Sequence, residues 1–356
     1  MQLFSKKLSL LAATMFAATT VFSAQETTPK EFEQGYGVGE NQMMGAYNSP
    51  GRIDVNGALD IFITGSFLYW TAKEKGLEVG ARTTSAHKVT TGYIGQEYKP
   101  GFKVDLGINL DHDSWVLDLE YTRIHLKQHG AIGANTGTDE MDSFWTNHAS
   151  GTTYNHLSGH WRLRADLLDL KLGRPFYLGT YLTVRPSFGF RGGWLNQKYT
   201  SKQTFVSGSH STVNVKQNTW LVGPRAGIGS SWLLGAGFRF IGDVNAGLYF
   251  QQFKTPYKDV INNASTYSES HDKKQNILTT NLEFFTGLGY GTYFDHNNWH
   301  FDLLIGYNFQ IFFDQNRMRE VASNVMNTLI DANSPSPGSA ANLFLHGLVV
   351  TARFDF

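Results

Sequence analysis

The sequence predicts an all-β chain, a transmembrane antiparallel β-barrel of about ten strands with short periplasmic turns and long extracellular loops. Three observations predict it. Apolar residues recur at spacing two in segments of about ten residues, which is long for a soluble strand and, tilted at about 45°, enough to cross a bilayer core. The links between segments alternate short and long. Charge is scarce: 17% of 356 residues are charged, and Gly, uncharged polar residues and aromatics (14%) take up the difference. Soluble domains carry about 25% charge.

Composition also excludes classes. The 30 basic and 30 acidic residues cancel, so the chain has neither the net charge of a disordered protein nor the basic surplus of a nucleic-acid binder. With no cysteine, a disulfide scaffold and a Cys-ligated metal are both out of reach.

Residues 1–23 read as a secretory signal peptide: Lys6 and Lys7, the largely apolar run Leu8–Phe22, then small residues at Ser23 and Ala24. That run falls short of the roughly 20 residues a spanning helix needs. Residues 24–57 are polar and Gly-rich, expected in the periplasm or folded into the lumen. Gly35, Gly37 and Gly39 fit a flexible linker, because no strand precedes them and no Lys-Ser or Lys-Thr pair follows. The barrel is expected over 58–356.

Successive strand residues point to opposite faces. The first strand carries Ile61, Ile63, Phe67 and Tyr69 on one face; the second carries Phe102, Val104, Leu106, Ile108 and Leu110, interleaved with Lys103, Asp105, Gly107 and Asn109. After the turn at 111–114 come Trp115, Leu117, Leu119 and Tyr121, opposite Asp118 and Glu120. In the fourth strand Trp161, Leu163, Ala165 and Leu167 alternate with Arg162, Arg164 and Asp166, and the phase slip at Leu168 predicts a bulge. The fifth sets Leu182, Val184, Phe188, Phe190 and Trp194 against Arg185 and Arg191, and the sixth sets Trp220, Val222, Ile228 and Trp232 against Arg225. Phe238, Phe240, Val244, Leu248 and Phe250 oppose Arg239 and Asp243; Leu278, Leu282, Phe284 and Leu288 oppose Glu283. The ninth sets Trp299, Phe301, Leu303 and Ile305 against His300 and Asp302, and the last has Leu348, Val350, Ala352, Phe354 and Phe356 outward with Arg353 inward.

The apolar faces are assigned to lipid, since turned inward they would leave charged faces filling a dry core at heavy desolvation cost. An even count closes the barrel without an edge. Thr204–Val206 and Val213–Val215 alternate weakly and are expected as a loop hairpin above the membrane. Spanning strands hidden in the loops would raise the count to about twelve to sixteen. Trp70, Trp115, Trp161, Trp194, Trp220, Trp232 and Trp299 lie near strand ends, where an aromatic girdle meets the interfaces.

The inward charges Arg162, Arg164, Asp166, Arg185, Arg191, Arg225, Arg239, Asp243, Glu283, Asp302 and Arg353 are the candidate pore-lining set. Such rings set a channel's selectivity, or they pair across a narrow lumen and plug it. Seven Arg against four acids predict a positive field that favours anions. Inward glycines, among them Gly107, Gly189 and Gly247, are expected to widen the bore. His125 and His129, His156 and His160, with Asp139 and Asp142 nearby, are weak as an enzyme signal. Val321, Val325 and Leu329 have helical spacing in the last long loop, before Pro335 and Pro337.

The blocks Asn48-Ser49-Pro50-Gly51-Arg52-Ile53-Asp54-Val55, Ser66-Phe67-Leu68-Tyr69-Trp70 and Lys73-Glu74-Lys75-Gly76-Leu77-Glu78 resemble the Legionella-type major outer membrane protein family, which includes similar proteins of chlamydia-related bacteria. Asp169-Leu170-Lys171-Leu172-Gly173-Arg174 and the stretch Arg185 to Trp194 resemble that family's middle section. The resemblance implies a pore-forming outer-membrane barrel at the cell surface. The chlamydial proteins proper are cysteine-rich and cross-linked, and this chain lacks the residue for that role.

The expected function is therefore a porin for passive diffusion of ions and small hydrophilic solutes, with no cofactor and no enzymatic chemistry. A surface adhesin or structural envelope barrel with a plugged lumen is the alternative, ahead of a surface protease. Expected partners are outer-membrane lipid, the barrel-assembly machinery and small solutes. Nucleic acid is not among them. Porins often trimerise, so a homo-oligomer is one candidate state, but no face of the sequence announces an interface. Leu348, Val350, Phe354 and Phe356 resemble the C-terminal signal read by the assembly machinery; deleting Phe356 should lower the yield of heat-modifiable, membrane-inserted protein, and an unchanged yield would refute the assignment.

Overall fold

In the computed structural model, ten long strands close into one antiparallel barrel. They are β1 (Ile61–Glu74), β2 (Lys99–Asn109), β3 (Val116–Gly133), β4 (Tyr154–Gly173), β5 (Leu182–Phe205), β6 (His210–Gly235), β7 (Phe238–Lys254), β8 (Gln275–Phe294), β9 (Trp299–Asn316) and β10 (Ala341–Asp355). Each pairs with the next, and β1 pairs with β10 from Phe62↔Asp355 to Glu74↔Leu343. Closure satisfies the backbone within the sheet, as lipid requires. No helix among the described residues is long and apolar enough to cross a membrane. The structure describes residues 51–56, 60–110, 112–146, 154–262, 265–270, 274–330 and 340–356. The signal peptide, the glycines at 35 to 39 and the two prolines after 334 lie outside them.

Short turns connect the strands at one end. β6 and β7 are joined by Ala236 and Gly237, both at positive φ (49° and 82°), which matches the twist of a two-residue hairpin. Asp295, His296 and Asn297 take the same left-handed region between β8 and β9. Residues 51–56 cross this end: Gly51 N–H donates to Pro175 O (3.0 Å), Arg52 to Leu110 O (3.4 Å) and Asn56 N–H to Asn297 O (2.9 Å).

At the other end the strands outgrow the expected length, reaching 26 residues in β6. Thr204 pairs with His210, so the weakly alternating segments are the tall tip of the continuous β5–β6 ribbon. Short strands Gly80–Thr83, Val89–Gly92 and Glu140–Ser143 form a separate small sheet in the long loops. Helix α1 (Met318–Ile330) occupies the loop between β9 and β10, where valine spacing predicted it.

The outward band is apolar and exposed, as at Ile63, Val104, Phe188, Val222, Val244, Leu288 and Ile305. It ends where Asp166, Trp194, Trp220 and Gln252 stand side by side on β4 to β7. Above that row the outer wall turns polar, with Asn196, Lys198, Thr200, Asn218 and Lys216. Val244→Arg, mid-band, should destabilise the barrel by about 2–4 kcal/mol, measured by urea unfolding from vesicles. Gln252→Arg, on the same face beside Trp220, should change little; equal costs would mean the band is misplaced.

Phe354 and Phe356 lie outward at the turn end, their rings 5.5 and 5.9 Å from Trp299. Leu348 and Val350 continue that face. Trp115, Trp232 and Trp299 stand at this end and Trp194 and Trp220 at the other. Trp70 and Trp161 depart from the girdle assignment: they are 1% and 2% exposed and point into the lumen. Trp70 has the opposite parity from Ile63, Phe67 and Tyr69, so the pleat alone turns it inward.

Candidate functional site

The lumen collects the polar faces, and its contents change with height. Nearest the turns is a cavity of about 500 Å³, lined by Arg52, Arg239, Asp243, His300 and Arg353 among others. Arg239 pairs with Asp302. Arg353 Nε donates to Asp355 Oδ1 (2.9 Å) and its guanidinium lies 3.6 Å from the Phe62 ring centre, while His300 Nδ1 is 3.0 Å from Asp355 Oδ2. A second cavity of about 320 Å³ sits higher and shares Arg185, Asp243 and Arg353 with the first.

At mid-height a buried ion network braces opposite walls. Arg191 on β5 grips Asp169 on β4 with two hydrogen bonds, Nε to Oδ1 (2.6 Å) and Nη2 to Oδ2 (3.0 Å). Arg225 on β6 donates to Asp169 Oδ1 (2.7 Å) and to Glu283 Oε2 on β8 (2.6 Å). Glu283 also accepts from Arg191 (3.2 Å), Asn308 (3.0 Å) and Gln310 (3.3 Å). Lys103 on β2 reaches across, 3.2 Å from Glu120 and 3.6 Å from Glu283. Lys171 bridges Asp118 (3.0 Å) and Glu120 (3.5 Å), and Arg185 pairs with Asp118. Charges this deep tolerate burial only because each is paired and hydrogen-bonded.

Above the network the lumen is packed with side chains, an apolar cluster interleaved with buried polar residues such as Gln128, Gln197, Gln203 and Gln251. Leu68, Trp70, Ile124, Leu126, Trp161, Leu163, Leu195, Tyr199, Val213 and Phe312 line the wall and are buried. Loop residues fill the space between them: Leu77, Trp145, and Met318, Val321 and Ala322 of α1. The Trp145 ring stacks on Tyr199 at 3.9 Å, and its indole N–H donates to Glu78 O (2.8 Å). Tyr257 O–H donates to Trp145 O (3.0 Å). Gln217 anchors the start of α1, its amide donating to Gln315 O (2.7 Å) and its Oε1 accepting from Arg317 N (2.8 Å).

This packed storey explains three corrections to the candidate set. Arg185, Arg191, Arg225, Arg239, Asp243, Glu283, Asp302 and Arg353 face the lumen as expected from their strands. Arg162, Arg164 and Asp166 do not; they stand on the outer wall, where Asp166 accepts from Tyr121 O–H (2.8 Å) and lies 3.7 Å from Arg123. β4 runs past Leu168 without a register shift, so Trp161 through Leu167 share the inward face of Asp169 and Lys171. Above the bilayer the outer wall is polar and exposed while Trp161, Leu163, Ala165 and Leu167 pack inward, which inverts the usual assignment. The alternation of Leu168, Leu170 and Leu172 with Asp169 and Lys171 was the signal that could have identified the two charges as inward.

With Lys103, Lys171, Asp105, Asp118, Glu120, Asp169 and Asp355 also inside, bases and acids nearly balance. The positive lean, and the anion preference drawn from it, therefore fall away. Nor do all the inward glycines widen the bore: the Phe62 ring occupies the space beside Gly107, and the Tyr249 hydroxyl that beside Gly247.

Among the described residues, His125, His129, His156, His160, Asp139 and Asp142 form no single cluster. His129 stacks on His160 across β3 and β4, with ring centres 6.2 Å apart, and its Nδ1 lies 3.1 Å from Glu97. Asp139 instead accepts from Asn135 N (2.8 Å) and Thr136 Oγ1 (2.8 Å), and these donors hold its carboxyl below the usual range.

A family model described as Legionella pneumophila major outer membrane protein precursor matches residues 56–356. No curated protein matches the chain. Among solved structures, the outer membrane protease OmpT from Escherichia coli is similar over 86% of this chain and 99% of its own, at 9% identity and a TM-score of 0.40. The toluene transporter TodX from P. putida is similar over 83% of this chain and 90% of its own, at 7% identity and a TM-score of 0.29.

Proposed function

The chain belongs to the Legionella major outer membrane protein family, and from that membership and the lumen's geometry we propose that it is a porin with an extracellular closure. Ions and small hydrophilic solutes pass by diffusion, with neither cofactor nor covalent chemistry. The observation that carries the reading is the vestibule with charged side chains in its walls: two cavities that share Arg185, Asp243 and Arg353 run from the periplasmic turns up to the ion network. A barrel built only as a wall has no need of such a vestibule. The network spans the lumen from Lys103 to Glu283, so the passage beside it is narrow. That fits ten strands, between the filled eight-stranded barrels and the wide channels of sixteen or more.

The apolar layer above the network favours a second reading, a structural or adhesive barrel whose lumen is permanently plugged. Planar-bilayer recording of folded, heat-modifiable protein separates the two. Stepwise conductance with weak charge selectivity is expected of the porin, since the inward bases and acids nearly balance. Folded protein that stays silent at every voltage, together with a silent variant lacking the loop closure, would remove the porin reading.

A further inference from the structure

The outer wall carries a basic row that the lumen does not explain. Lys127, Arg162, Lys198 and Lys216 are direct cross-strand neighbours on β3, β4, β5 and β6. All four side chains lie on the outer face, and none of them has an ion-pair partner among the described residues. Like charges directly opposite one another on a sheet are destabilising. Four in register across strands about 4.8 Å apart concentrate positive charge over some 15 Å, and such an array calls for an anion.

Height and shape say which. Trp194 and Trp220, exposed to lipid, lie four residues along the strands below Lys198 and Lys216, so the row stands just above the aromatic belt at the level of outer-leaflet headgroups. Arg164 and His125 fill the step between, paired across β3 and β4. A cavity of about 340 Å³ opens over the row, lined by Lys127, Arg162 and Lys198 together with Lys99 and the stacked His129 and His160. The carboxylate at its edge, Glu97, is taken up by Lys99 (2.6 Å) and His129 (3.1 Å). Above the Trp194 row, the nearest carboxylate on this wall is thus already neutralised, and the row itself is left for an exogenous charge.

We propose that this face is a binding site for a phosphorylated glycolipid headgroup of the outer leaflet. The cations of four strands take the phosphates, the cavity takes the sugar, and the apolar band below, at Leu170, Phe190 and Val222, takes the acyl chains. Charge-assisted bonds from several Lys and Arg to phosphate are the strong kind, and a basic cluster at a membrane surface gains with each residue. The proposal does not depend on whether the lumen conducts.

The test uses the full chain, folded into phosphatidylcholine nanodiscs, with bisphosphorylated lipid A, its dephosphorylated form, or inorganic phosphate as probes, read by native mass spectrometry and by the unfolding temperature. Lipid A should remain bound and raise the unfolding temperature, and the triple variant Arg162→Gln, Lys198→Gln, Lys216→Gln should bind it about tenfold or more weakly. Lys198→Arg should bind normally, and heat-modifiability confirms that each variant folds. Equal binding of the dephosphorylated lipid, an undiminished triple variant, or full reproduction of the shift by inorganic phosphate would each overturn the proposal, the last by assigning the site to a free anion.

Discussion

Removing α1 should open the barrel. Asn316 pairs with Ala341 at the top of the β9–β10 hairpin, so a short Gly-Ser turn can replace residues 317–340 without moving the strands. The deletion withdraws Met318, Val321 and Ala322 from the apolar layer; combined with Trp145→Ser it also removes the ring stacked on Tyr199. A hydrophobic constriction excludes water and so blocks ions, and widening it lets the passage wet. Single-channel conductance should rise several-fold over the full chain, with little change in selectivity because the charged storey below is untouched. Folding should survive, since the closed strand ladder carries the barrel. If the deleted variant folds and conducts no better than the parent, the layer is not the closure, and the plugged-barrel reading gains.

The second large effect lies one storey down. Arg191→Met leaves Asp169 and Glu283 sharing Arg225 as their remaining arginine, with Asp169 fully buried. Removing one partner of a buried ion pair typically costs about 3–5 kcal/mol, because a desolvated charge is stranded. Urea unfolding from vesicles, followed by tryptophan fluorescence, should show a loss of that size. The double variant Arg191→Met, Asp169→Leu should recover much of it, since an apolar replacement of the whole pair is often neutral. A loss below about 1 kcal/mol for Arg191→Met would mean that water reaches the network and screens it, as it does for exposed pairs. That outcome would itself widen the passage available to solutes.

Much of the fold was legible because lipid imposes a simple rule. Phe102 to Leu110 must present one greasy face, and Phe188 and Phe190 must face the same medium as Trp194; alternation then assigns Arg185, Arg191 and Arg225 to the lumen without further information. The helix over Val321 and Val325 was likewise a local matter. Loop contributions to the lumen were not legible. Nothing near Trp145 in the sequence announces that its ring will stack on Tyr199, and Leu77 and Val321 enter from different loops.

The chain by itself determined a closed barrel of about ten strands or more and the lipid-facing half of each spanning segment, since a bilayer leaves one medium on one side of the wall. Tertiary structure alone decided what fills the interior and which way the upper strands face. Alternation distinguishes two faces but does not name the inner one, and above the bilayer both sides are free to be wet or dry. There the loops decide: they carry apolar side chains into the lumen, turn Trp161 and Leu163 inward against them, and leave Arg162 and Lys198 on the outer wall.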